Sequence, residues 1–214
     1  LAEIIRRFGE SVPTRSLLVA IEGGRSTAIT GLAGSADAFA IAAMARKSGA
    51  PILAITGHSD EAHDLYEDLA FLLTQAKVGL YPSRQILPYD FRAPVGEIMG
   101  QRLSTLSRLV DGRLRVVVAP IRALVEPTIT PEALRESRVS LTVGEETDLD
   151  DLTARLVRLG FRRVPLVEEV GDFARRGGLI DLFTADSEYP VRVEFLGDQV
   201  ESIRLFDVAN QRTI

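Results

Sequence analysis

The 214 residues carry 25 Lys and Arg against 30 Asp and Glu, a net charge of −5, with 46% hydrophobic and 26% charged residues. That is the make-up of a folded globular chain, and it lacks the basic excess with which a dedicated nucleic-acid-binding domain neutralises phosphates. Cysteine is absent, which excludes disulfides and thiolate metal sites, and no run approaches the roughly 18 apolar residues that would span a bilayer.

The first residues mix Glu3, Arg6 and Arg7 with apolar side chains instead of forming a signal sequence, so a cytoplasmic setting without a membrane partner is expected. The chain opens on Leu1 and ends at Ile214 after strand-like sequence, and it is expected to be a piece of a longer protein. Residues 26–31 predict a short buried strand entering a glycine turn, and Ser35 to Lys47 an Ala-rich helix ended by Gly49. A second buried strand is expected over 51–56, then a helix over 59–75 with Ala62, Leu65, Leu69 and Leu72 on one stripe. His58 and His63 lie five apart at its start, not at the four-residue spacing that puts two ligands on one face. Surface or capping roles are expected of them, and no metal site.

A short strand near 78–81, a helix over 96–110 carrying Met99, Leu103, Leu106 and Val110, and the apolar run Arg115 to Ala119 continue the alternation. The pattern predicts an α/β domain, a parallel sheet flanked by helices, over residues 1–125. After Pro127 it changes. Val139 to Val143 is strand-like, and Leu149, Leu152, Leu156 and Leu159 make one helical face. Segments 172–176, 178–184, 190–196 and 199–206 follow as closely spaced strands with Gly197-Asp198 as the tightest turn. A second, smaller α+β domain is therefore expected over 126–214.

A phosphate-binding P-loop needs two glycines, a Lys for the β/γ-phosphates and a hydroxyl for magnesium. The segment from Gly31 to Ala38 stands where such a loop belongs, but Ala36 replaces the second glycine, Asp37 replaces the Lys, and Ala38 has no hydroxyl. A carboxylate facing a triphosphate is repulsive, so neither catalysis nor a nucleotide cofactor is expected. The alternative reading is a simple turn at Gly31 and Gly34, with Ser35 capping the helix and Asp37 in its positive first turn.

The segment Gly31-Leu32-Ala33-Gly34-Ser35-Ala36-Asp37-Ala38 resembles the P-loop of the repair helicase UvrB with its key residues removed, the state found in the UvrB-like module of bacterial transcription-repair coupling factors. Leu87-Pro88-Tyr89-Asp90, Arg102-Leu103-Ser104-Thr105-Leu106, Val116-Val117-Val118-Ala119-Pro120, the run from Arg175 to Phe183 and that from Phe206 to Thr213 resemble the same module, in order, over most of 26–214. The resemblance implies P-loop NTPase ancestry for the first domain. Between this family and UvrB itself, the disabled loop and the shortness of 81–96, with only Tyr81, Tyr89 and Phe91 where UvrB carries a DNA-inserting aromatic hairpin, favour the former.

In both relatives the small domain docks on UvrA, and motif matching carries interface roles onto Arg176 and Arg192. Alternation in Val191-Arg192-Val193-Glu194-Phe195-Leu196 puts Val191, Val193 and Phe195 on one face and Arg192, Glu194 and Leu196 on the other, which is expected to be exposed. Arg192 and Glu194 could equally be a solvated pair. Leu196 stands where the family can present an aromatic, and Arg175 is expected to point away from Arg176. Truncation of Arg176 or Arg192 is expected to weaken UvrA binding and leave the fold intact. The resemblance thus implies a non-catalytic UvrA-recruiting module, with RNA polymerase and DNA engaged only by other parts of an ATP-driven translocase. The competing readings are a fragment of a UvrB-type repair helicase and a nucleic-acid-binding module.

Overall fold

The computed structural model describes residues 1–84, 96–184 and 187–214. The residues from 85 to 95, including Leu87-Pro88-Tyr89-Asp90 and Phe91, lie outside the described residues, and with them most of the connection compared with the UvrB hairpin. The chain divides into two units, one made of Leu1–Gln85 and Thr105–Pro127, the other of Ile86–Ser104 and Thr128–Ile214.

In the first unit, α1 (Ala2–Gly9) and α2 (Val12–Glu22) precede α3 (Ala36–Lys47), β1 (Ile52–Thr56), α4 (Ser59–Leu73) and β2 (Val78–Leu80). The helix α5 (Gly96–Val110), of which only the residues from Thr105 on fall in this unit, leads into β3 (Val116–Pro120) and the single turn α6 (Ile121–Leu124). The strands form a parallel sheet in the order β1-β3-β2, with Ile52 and Val78 both level with Val116. The central strand is buried along its whole length, which explains its uninterrupted Val-Val-Val-Ala sequence. One face packs Val116, Val118 and Val78 against Ala38, Ala42 and Ala45 of α3 and Leu69 and Leu72 of α4. The other buries Tyr81, Leu114, Val117, Ala119 and Ala123, with Leu106 and Leu109 of α5 beside them. Arg115 fastens the end of α3, its Nη2 donating to the carbonyl of Ala45 at 2.9 Å.

The strand expected over 26–31 does not form. These residues are exposed coil, because strand-like side chains make a strand only when a neighbouring backbone accepts their N–H and C=O groups. The helices α1 and α2 were not anticipated. Ser35 occupies the N-cap position before α3, but its side chain makes no capping hydrogen bond.

The second unit contains α7 (Pro131–Glu136), α8 (Leu149–Arg158), β4 (Arg162–Arg163), β5 (Asp172–Arg176), β6 (Leu179–Leu182), β7 (Val191–Leu196) and β8 (Gln199–Leu205). They build a mixed sheet ordered β4-β5-β6-β7-β8, in which β4 and β5 are parallel and the other pairs antiparallel. Asp148 starts α8 by accepting the N–H groups of Asp150 and Asp151, both at 2.8 Å. Leu149, Leu152 and Leu156 then cover Phe173, Ile180, Val193, Phe195 and Val200 on one face of the sheet. The segment 139–143, expected as a strand, is not one: Val139 and Leu141 reach this core from irregular backbone. Gly177 and Gly197 supply positive φ in the two tight hairpin turns.

Candidate docking face

The face of the second sheet opposite α8 is set by hairpin register. Counting back from the turn at Gly177-Gly178 pairs Arg176 with Leu179 and Ala174 with Asp181. The next hairpins place Arg192 beside Asp181 and Arg204 beside Arg192, while Glu194 lies between Leu179 and Ser202. A register shift between Glu194 and Phe195 keeps Phe195 opposite Val200 in the core and leaves Leu196 on the outer side, 71% exposed.

Asp181 is fully buried, and Arg192 grips it with both arms: Nε donates to Oδ1 at 2.7 Å and Nη2 to Oδ2 at 2.9 Å. Arg176 adds a contact from Nη2 to Oδ2 at 3.3 Å. The Arg192 guanidinium also lies 4.7 Å from the centre of the buried Phe206 ring and donates through Nη1 to the carbonyl of Gln211 at 3.3 Å. That carbonyl is presented by a turn in which Gln211 adopts φ 59° and the Asp207 carboxylate accepts the N–H groups of Ala209 and Asn210. The hydrogen bonds to Asp181 raise the Arg192 pKa further above its ordinary value.

The outer face is therefore less open than alternation suggests. Arg192 is only 16% exposed, because Asp181, Phe206 and the 207–213 turn enclose it, whereas Arg176 is 51% exposed. Glu194 accepts a hydrogen bond from the Ser202 hydroxyl at 2.7 Å and lies 3.5 Å from Arg204. Arg175 points to the helix side and pairs with Asp150. Sequence reading missed Asp181, Arg204 and the Phe206 platform. The signal for Asp181 was a carboxylate inside an apolar strand, at a fixed count from a two-glycine turn.

At the loop from Gly31 to Ala38, both glycines have positive φ, and Asp37 accepts the N–H of Ala38 at 2.7 Å. This first-turn donor of α3 is thus bonded to the chain's own carboxylate. Ala36 is partly buried and Ala38 lies wholly inside the core beside Ala42 and Val116, so a larger hydroxyl side chain there would overpack it. His58 stands at the start of α4, where Glu61 accepts its backbone N–H at 3.2 Å, and His63 pairs with Glu67.

A second buried carboxylate, Asp172, is held by Arg162 Nε at 2.9 Å and the N–H of Glu169 at 3.1 Å. Burial alone would push its pKa up, but Arg162 and the backbone donors from Glu169 and Glu168 outweigh this and hold it below the ordinary value. A lowered folded pKa means the unfolded chain binds protons first, so this contribution is complete above about pH 4 and lost as pH falls through the folded value. In urea titrations the stability gap between the parent and Asp172→Asn should shrink from pH 7 to pH 3. A gap independent of pH would contradict this.

Residues 139–214, which contain this face, match the family model described as the UvrB interaction domain. The chain is 38% identical over 211 residues to the transcription-repair-coupling factor of Mycobacterium tuberculosis, covering 95% of this chain and 17% of that protein. It is 35% identical over 193 residues to that of Bacillus subtilis, covering 90% and 16%, and 34% identical over 216 residues to that of Myxococcus xanthus, covering 98% and 18%. The chain spans about one sixth of the length of these relatives. Among the described residues no helix is long and apolar enough to cross a membrane.

Proposed function

We propose, from the premise that residues 139–214 belong to the UvrB interaction domain family and the whole chain is homologous to one segment of the transcription-repair-coupling factors, that it is a non-catalytic docking module recruiting UvrA to sites of transcription-blocking DNA damage. The observation that carries this reading is the outer face of the second sheet. It lies within the matched residues and carries the half-exposed Arg176 on β5, and on β7 the enclosed Arg192, then Glu194, then the exposed Leu196 at the strand's end. A face that carries both an exposed guanidinium and an exposed aliphatic side chain suits a partner surface that offers a carboxylate and an apolar contact. Stalled RNA polymerase and DNA would be engaged by other parts of a longer, ATP-driven translocase in the cytoplasm. The boundary between the docking domain and a first domain of P-loop ancestry falls near residue 125 on this reading. Immobilised UvrA should capture the purified chain saturably, and absence of binding at tens of micromolar would overturn the proposal.

The loop from Gly31 to Ala38 is a disabled descendant of a nucleotide site on the same reading. Calorimetric titration with Mg-ATP should give no binding heat, because Asp37 offers a negative charge where a cation is needed and Ala38 no ligand for magnesium. Saturable micromolar binding, abolished by substituting Gly31 or Gly34, would favour the UvrB-type helicase instead.

A further inference from the structure

Arg176 and Arg192 are not independent contacts, because both address the same buried carboxylate. We infer that Asp181 is the positioning residue of the docking face, holding the two guanidinium groups side by side so that one unneutralised positive charge is aimed at a partner carboxylate. The inference rests on the UvrA-docking reading and adds a division of labour within it.

The geometry gives each residue a different part. Asp181 lies wholly beneath the surface, so its oxygens are reached by the chain's own donors and not by a partner. Both Asp181 oxygens receive Arg192, and the third nitrogen of that guanidinium is bonded to the Gln211 carbonyl, which fixes its plane over Phe206. Arg176 meets the same carboxylate through Nη2 alone, and half of its side chain faces outward. Around this carboxylate Arg176, Arg192 and the neighbouring Arg204 face Asp181 and Glu194, three cations to two anions, so an incoming carboxylate completes the neutralisation and finds Arg176 already oriented, with less side-chain freedom left to lose on binding. Arg204 belongs to a different pair, with Glu194, and makes no contact with Asp181. It therefore serves as an internal comparison on the same face.

The test is a double-mutant cycle on UvrA affinity, measured at a temperature where every variant is folded by circular dichroism. Asp181→Asn should weaken binding about tenfold and Arg176→Ala about thirtyfold, and the double variant should be scarcely worse than Arg176→Ala. Asp181→Asn combined with Arg204→Ala should instead multiply. If Asp181→Asn does not fold, Asp181→Glu takes its place, since a longer carboxylate keeps the charge and displaces both guanidinium groups. A readout that needs no partner is solvent exchange of the arginine Nε–H in the parent chain: Arg192 should exchange at least tenfold more slowly than the exposed Arg158. Fast exchange at Arg192 would overturn the held geometry whatever the variants do. If the parent chain binds UvrA and the Asp181 variants bind equally well, or if Asp181 and Arg176 effects multiply, positioning by Asp181 is wrong and docking stands. If the parent chain does not bind UvrA, the docking function fails, and this inference with it.

Discussion

Arg192→Ala should destabilise the chain by about 3 kcal/mol, as expected when one partner of a buried ion pair is removed. The truncation leaves Asp181 inside the sheet with only the longer contact from Arg176, and it takes away the group stacked on Phe206 and bonded to Gln211. An uncompensated buried carboxylate is far costlier than a lost surface contact. This reverses the expectation, drawn from strand alternation alone, that the position is exposed and its truncation harmless to the fold. Urea unfolding at pH 7 measures it, and a midpoint within the error of the parent would show that Asp181 is resolvated without Arg192. Replacing both partners together, Asp181→Leu with Arg192→Met, should recover much of the loss, because neither charge is then buried. UvrA binding by Arg192→Ala must accordingly be read on the folded fraction, since an unfolded docking domain would imitate a lost contact.

Arg176→Ala should weaken UvrA binding about thirtyfold, roughly 2 kcal/mol, while changing stability by less than about 1 kcal/mol. The two expectations separate because this side chain is half exposed and meets Asp181 only at 3.3 Å, while Arg192 continues to satisfy both oxygens of that carboxylate. Affinity should also fall with added salt in the parent and less so in the variant, as befits the loss of a charged contact near the surface. A neutral comparison must avoid an arginine with a structural role such as Arg155 on α8, whose Nη2 donates to the carbonyl of Arg138 at 2.6 Å. Arg158, exposed on the same helix, is suitable. Unchanged affinity in Arg176→Ala, with circular dichroism and melting temperature preserved, would remove this face as the docking site and leave the family assignment intact.

Much of the architecture was legible because it is written locally. The valine run of β3 announces a strand buried on both sides, and Leu149, Leu152 and Leu156 at helical spacing announce the stripe of α8 that covers the second core. Residues 26–31 and 139–143 misled for one shared reason: their composition suits a strand, but neither is paired into one, and composition carries no information about partners. Similarly, alternation assigned Arg192, Glu194 and Leu196 correctly to one face without saying what else would lie on it.

By itself the sequence determined the α/β elements of the first unit, the hairpin strands of the second with the turn at Gly197, and a loop whose charge opposes phosphate. These follow from periodicity, backbone freedom and charge, which are properties of neighbours along the chain. Only the tertiary structure decided that Arg192 is enclosed and Arg176 is not. That difference arises where β6, β7 and the 207–213 turn converge, and the burial of a side chain depends on atoms brought from distant positions, with Asp181 and Phe206 supplying them here.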